Sequence, residues 1–167
     1  LGITLAMVEA TLFASVSQQL QPFFYRRLRD HDFAGFRRIQ ALYGLAVLAF
    51  TGLYYAFLIL LFPLLFAREY DDAKALLPAL LGAAAAQSIY SGFSHAAFYE
   101  RLGGQLSWVT ASALSVHIFG LLLLKLLNQI TPAHIASVFF LSSFVSMSAM
   151  AYLSRRSVRI LSLSQRP

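Results

Sequence analysis

Charged side chains are absent from four long stretches of the chain, residues 39–67, 75–99, 102–124 and 126–154, and a fifth, residues 1–25, holds only Glu9. About 20 mainly apolar residues let a helix cross roughly 30 Å of hydrocarbon, so each stretch predicts a membrane span. The spacing places the spans at about residues 1–25, 39–63, 76–99, 104–127 and 132–154, followed by a basic tail over 155–167. The expected fold class is all-α: a polytopic membrane helix bundle of about five transmembrane helices.

Basic residues between the spans alternate between rich and poor. The first connection carries Arg26, Arg27, Arg29, Arg37 and Arg38, the third Arg101, and the tail Arg155, Arg156, Arg159 and Arg166, ten on one side; the other side has Arg68, Lys74 and Lys125. Positive charge collects on the cytoplasmic side of membrane proteins. The tail is therefore expected in the cytoplasm and Leu1 outside. Phe23, Phe24, Tyr25, Tyr70, Tyr99, Trp108 and Tyr152 fall at the predicted interfaces, where aromatic rings concentrate. Tyr99, Glu100, Arg101 and the pair Gly103 and Gly104 read as one tight turn.

Composition narrows the class further. At 59% hydrophobic and 12% charged residues, with a mean hydropathy of +0.67, the chain is far from a soluble domain, for which about 25% charged is usual. The net charge of +6 sits at span ends rather than along one soluble face, which argues against nucleic acid as a partner and for the lipid bilayer. Zero cysteines exclude disulfides, Cys-ligated zinc and thiol nucleophiles. The chain opens at Leu1 without an initiator Met or signal-peptide features. An odd number of spans beginning almost inside a helix predicts a piece of a longer protein.

Polar side chains within hydrocarbon need a partner helix or a wet cavity. At 100° per residue, Thr4, Thr11, Ser15 and Gln18 share a face of the first helix, with Pro22 ending the stripe. Gln87, Ser91, Ser94 and His95 share one in the third, Ser107, Thr110 and His117 in the fourth, and Ser142, Ser143 and Ser146 cluster in the fifth. Two readings fit. Small and hydroxyl residues glue membrane helices together, as Gly82 with Ala83, Ala84, Ala85 and Ala86, and the pair Gly44 and Gly52, would do. Gln18, Gln87, His95 and His117, larger hydrogen-bonding groups on several helices, could instead line a common hydrophilic cavity. Glu9, roughly 140° from the Thr4 stripe, is the one acid well inside a span: a proton or cation site, or a residue near an aqueous mouth. Pro22, Pro63, Pro78 and Pro132 lie at or near span ends, as terminators or first-turn residues, or as hinges.

No enzyme motif accompanies these residues. The chain contains no H-E-x-x-H, P-loop or G-x-S-x-G, and no paired-carboxylate metal site within the spans. No catalytic role and no cofactor is expected, apart from a coupling ion, H+ or Na+.

The order of features resembles the C-terminal part of the bacterial polysaccharide flippases, the O-antigen-type lipid-linked oligosaccharide transporters of the multidrug/oligosaccharidyl-lipid/polysaccharide superfamily. Gln21-Pro22-Phe23-Phe24-Tyr25-Arg26 is similar to the family's "P-x-x-Y" helix end before a basic connection. Leu64-Leu65-Phe66-Ala67-Arg68-Glu69-Tyr70-Asp71-Asp72-Ala73 with Leu76-Leu77-Pro78 resembles its external "lFG-x-x-Y-x-x-A-x-x-llP" segment, and Ile130-Thr131-Pro132 its Pro-containing external loop. Ala67 stands where glycine is usual, and Ala133-His134-Ile135-Ala136 where a "G-x-x-G-A-A" run is usual, so a divergent member or another branch stays open. The resemblance implies a helical lobe that packs against an N-terminal transporter lobe around a cavity opening alternately to each side. It implies transport of a polyprenyl-diphosphate-linked oligosaccharide to the outer leaflet of the bacterial inner membrane, driven by an ion gradient. The alternatives are a multidrug/cation antiporter of the same superfamily and a noncatalytic membrane subunit of a glycan-assembly complex.

Overall fold

The computed structural model describes residues 1–66 and 71–163. They form five helices, α1 (Gly2–Arg29), α2 (Phe33–Leu65), α3 (Asp71–Tyr99), α4 (Gly103–Leu126) and α5 (Pro132–Leu163), with no strand among the described residues. Ala67, Arg68, Glu69 and Tyr70, the centre of the expected external motif, and Arg166 of the tail lie outside the described residues.

Even the shortest helix, α4 with 24 residues, reaches about 36 Å at 1.5 Å per residue. Helices α2, α3, α4 and α5 are long and apolar enough to cross a membrane, so this is a multi-pass membrane protein. Helix α1 differs from the expectation of five equivalent spans. Its 28 residues are long enough, but Glu9, Gln18, Gln19 and Gln21 dilute its hydropathy, and only α2 to α5 meet both criteria.

Short connections force neighbours to run antiparallel, and the packing follows from that. One end of the bundle joins Ala6 of α1, Phe62 of α2, Leu77 and Leu81 of α3 and Ala136 of α5. The opposite end joins Phe24 and Leu28 of α1, Phe36 of α2, Ala96 of α3 and Val158 of α5. Helix α3 is the hub, packed against α1, α2 and α5, and Ala83, Ala84, Ala85 and Ala86 are all buried in it. Small side chains let membrane helices approach closely, where dispersion and hydrogen bonds act. Helix α4 leans mainly on α5 and buries only Val109. Outward faces are apolar, with Leu53 and Leu60 of α2 and Trp108, Phe119 and Leu126 of α4 exposed, as lipid requires.

The glycines sort differently from the expectation. A Cβ at Gly44 or Gly52 would meet nothing within 4 Å, so neither serves close packing, whereas one at Gly82 would lie 2.8 Å from Phe140 of α5. Pro132 does open α5 at its first turn, but Pro22, Pro63 and Pro78 lie inside α1, α2 and α3 rather than ending them. The basic connection is also shorter than expected. Only residues 30–32 separate α1 from α2, so Arg37 and Arg38 stand on α2 and Arg155, Arg156 and Arg159 on α5. Asp32 caps α2 by accepting the Gly35 amide at 2.8 Å; that bond, with Arg27 beside it, holds the Asp32 carboxyl below the usual carboxylate range.

Three connections use one device. His31, Arg101 and Asn128 take φ of 57°, 55° and 52° and close α1, α3 and α4 in the paired backbone bonds of a Schellman motif. For α3 these run from the Arg101 amide to the Phe98 carbonyl at 3.1 Å and from the Leu102 amide to the Ala97 carbonyl at 3.0 Å. Gly103 and Gly104 are therefore not in the turn but open α4. Histidine and asparagine tolerate the left-handed region better than arginine. Arg101→Gly should accordingly raise stability by about 1 kcal/mol, read from the unfolding midpoint in detergent; an unchanged or lowered midpoint would count against this turn geometry.

Candidate functional site

The five residues singled out by the sequence separate into distinct environments. Gln18 is exposed, as are Thr4, Thr11 and Ser15, so the polar stripe of α1 faces away from the other described helices. The buried stripe runs through Gly2, Ala6, Glu9, Phe13, Ser17, Phe24 and Leu28 instead. The two stripes lie on opposite sides of one helix, as the angular offset of Glu9 requires.

Glu9 is 0% exposed. Its Oε1 is reached by the Thr51 hydroxyl of α2, which also lies 2.8 Å from the Val47 carbonyl oxygen. A hydroxyl has one hydrogen, so two acceptors compete for it. Glu9 Oε2 is buried with no hydrogen-bond partner among the described residues.

His95 and Gln87 are eight residues apart on α3, which separates them by roughly 80° around the helix, enough to give them different neighbours. His95 is buried against α1, its Nε2 3.1 Å from Ser17 Oγ and its ring stacked on Phe24 at 4.8 Å. Ser17 also meets Ser91 at 3.1 Å. This is an internal crosslink of α1 and α3, and His95 lines neither of the two cavities that Gln87 and His117 share.

Gln87 and His117 do come together. A groove of about 570 Å³, walled by small and aliphatic side chains of α1, α3 and α5 such as Ala6, Ala10, Leu80 and Ile135, ends at Gln87 and His117. A second cavity, about 260 Å³, starts from the same two residues and Phe139 and continues along Thr110, Ser142, Ser143 and Ser146 between α3, α4 and α5. Ser142 donates to the Phe139 carbonyl oxygen at 2.9 Å and lies 3.4 Å from His117 Nδ1. The arrangement is an apolar trough passing into a second, mostly apolar cavity along which Gln87, His117, Thr110 and three serines are set. No group of three or more His, Cys, Asp or Glu that could hold a metal occurs among the described residues.

Sequence reading placed Gln87, His117 and the three serines in the right helices but missed Gln40. Its side chain is 5% exposed and its amide donates to Ser154 Oγ of α5 at 3.1 Å. A glutamine at the edge of an uncharged run, two residues beyond a basic pair, carried the only signal. The chain matches no protein-family model, no curated protein and no solved structure.

Proposed function

We propose that this chain forms one lobe of a membrane transporter that moves a polyprenyl-diphosphate-linked oligosaccharide from the cytoplasmic to the outer leaflet of a bacterial inner membrane, its C-terminus cytoplasmic, by alternating access with a second lobe. One observation carries the reading: the apolar groove and the cavity along which the hydroxyl side chains of α4 and α5 are set meet at Gln87 and His117. A lipid-linked sugar is half hydrocarbon and half hydroxyl groups. A path for it needs both surfaces in continuity, since polar groups left unpaired in hydrocarbon are costly. The resemblance of the Pro22 and Tyr70 segments to the polysaccharide flippases supports the same substrate class, and the exposed Thr4, Thr11, Ser15 and Gln18 face of α1 gives the second lobe a surface to meet.

Glu9 favours a second reading within the same superfamily, a cation-coupled antiporter, because a buried acid with one unpartnered oxygen is where a coupling proton or Na+ would be held.

The test is leaflet exchange of a fluorescent lipid-linked oligosaccharide in proteoliposomes holding the full-length protein. Gln87→Ala with His117→Ala should slow exchange by about tenfold or more, the size expected for losing buried hydrogen bonds to the cargo. Unaltered exchange by a folded double variant, or normal surface glycan with no stalled precursors after gene deletion, sinks the proposal.

A further inference from the structure

Four arginines converge on a cavity of about 900 Å³ where the start of α2 meets the end of α5, at the arginine-rich end of the bundle. Residues 152, 155, 156 and 159 repeat at the three- and four-residue spacing of one helix face, so Tyr152, Arg155, Arg156 and Arg159 line the cavity together from α5. Arg37 faces them from α2, one turn before Gln40, and Phe93 of α3 closes the wall.

The arginines are held in a built frame. Gln40, 5% exposed, donates to Ser154 Oγ at 3.1 Å, and Ser154 is itself 1% exposed. That buried bond ties α2 to α5 at the root of the cavity and sets the interval between Arg37 and the α5 arginines. Among the described residues, no carboxylate lines the cavity. Among the described residues, the ion pairs at this end join Arg26, Arg27 and Arg29 to Asp30 and Asp32, and none involves Arg37, Arg155 or Arg156. Arg37, Arg155 and Arg156, like charges gathered with no carboxylate among the described residues that line the cavity, repel one another and attract an anion.

The form of the anion follows from the donors and the place. Guanidinium forks match phosphate oxygens two at a time. Both α2 and α5 are membrane-crossing helices, and the cavity sits at their ends, where hydrocarbon gives way to headgroups and an exposed Tyr152 fits the interface. Basic pockets between such helix ends are suited to phosphate headgroups.

We propose that this cavity binds a phosphate group, carried by a lipid headgroup or by a soluble phosphate compound. The assignment is independent of the transport reading, since the cavity shares no lining residue with the groove that ends at Gln87 and His117.

Calorimetric titration of the full-length protein in phosphatidylcholine nanodiscs with short-chain phosphatidic acid, and separately with inorganic pyrophosphate, tests it. At least one of the two should bind, and Arg155→Ala with Arg156→Ala should weaken it about tenfold or more. Arg155→Lys with Arg156→Lys, which keeps the charge but loses the fork, should fall between. Arg26→Ala with Arg29→Ala, equally basic but outside the cavity, should change affinity less than about twofold. Binding of the lipid alone identifies a headgroup, and pyrophosphate binding equally well identifies a soluble source; both support the site. Failure of both probes, an equal loss in the Arg26 and Arg29 variant, or displacement by an acidic peptide but not by phosphate overturns it. Unchanged helical content and monodispersity of each variant keep misfolding from imitating the result.

Discussion

Gly92→Ala is expected to destabilise the bundle by about 1–3 kcal/mol, although alanine is the better helix former by about 1 kcal/mol. A Cβ at Gly92 would sit 2.5 Å from both Cδ1 and Cε1 of Tyr43 on α2, far inside contact distance. The ring has nowhere to retreat. It is 4% exposed, meets Phe13 edge-on at 6.2 Å, and its hydroxyl reaches the Phe13 carbonyl oxygen at 3.2 Å and the Ser88 carbonyl oxygen at 3.1 Å. Moving it would strain or break a hydrogen-bond cluster that ties α1, α2 and α3 at mid-bundle. Denaturant unfolding in detergent measures the loss, with Gly52→Ala as the control. With nothing within 4 Å of the added methyl, that control should be neutral or gain up to about 1 kcal/mol. If the two variants behave alike, the close approach of α2 and α3 is not as described.

That pair of glycines illustrates what could be read from the chain. Gly44 and Gly52 look like packing glycines because they are eight apart on one helix; Gly92 does the packing because a tyrosine forty-nine positions away in the chain points at it. Hydropathy was enough for the helices, since the need to satisfy every backbone group in lipid leaves few alternatives, and Pro132 marked the start of α5 as a first-turn proline. Faces were harder. In water, polarity separates outside from inside, but in a membrane the outside is also apolar, so the polar stripe of α1 gave no direction and turned outward while Ser17 and Glu9 turned in. The arginines were legible as a topology signal and not as a cavity, because only the antiparallel return of the chain brings residue 37 beside residue 155.

The second large effect is expected at Glu9. Glu9→Gln should lower gradient-driven transport by about tenfold or more while holding stability within about 1 kcal/mol. Glutamine keeps the length of the side chain and an oxygen for the Thr51 hydroxyl to reach, but it can neither release a proton nor pair with a cation. Thr51→Val separates this from a merely structural role. It removes the one side-chain partner of a residue that is 0% exposed and whose Oε2 is already unpartnered, which should cost about 1–3 kcal/mol of stability. In the Glu9→Gln background the same change should cost less, since an amide is cheaper than a carboxylate to leave unpaired in a low-dielectric interior. Counterflow exchange, which needs no gradient, completes the comparison. A coupling site predicts that Glu9→Gln spares exchange and loses accumulation, whereas a structural acid predicts that both fall together with the unfolding midpoint.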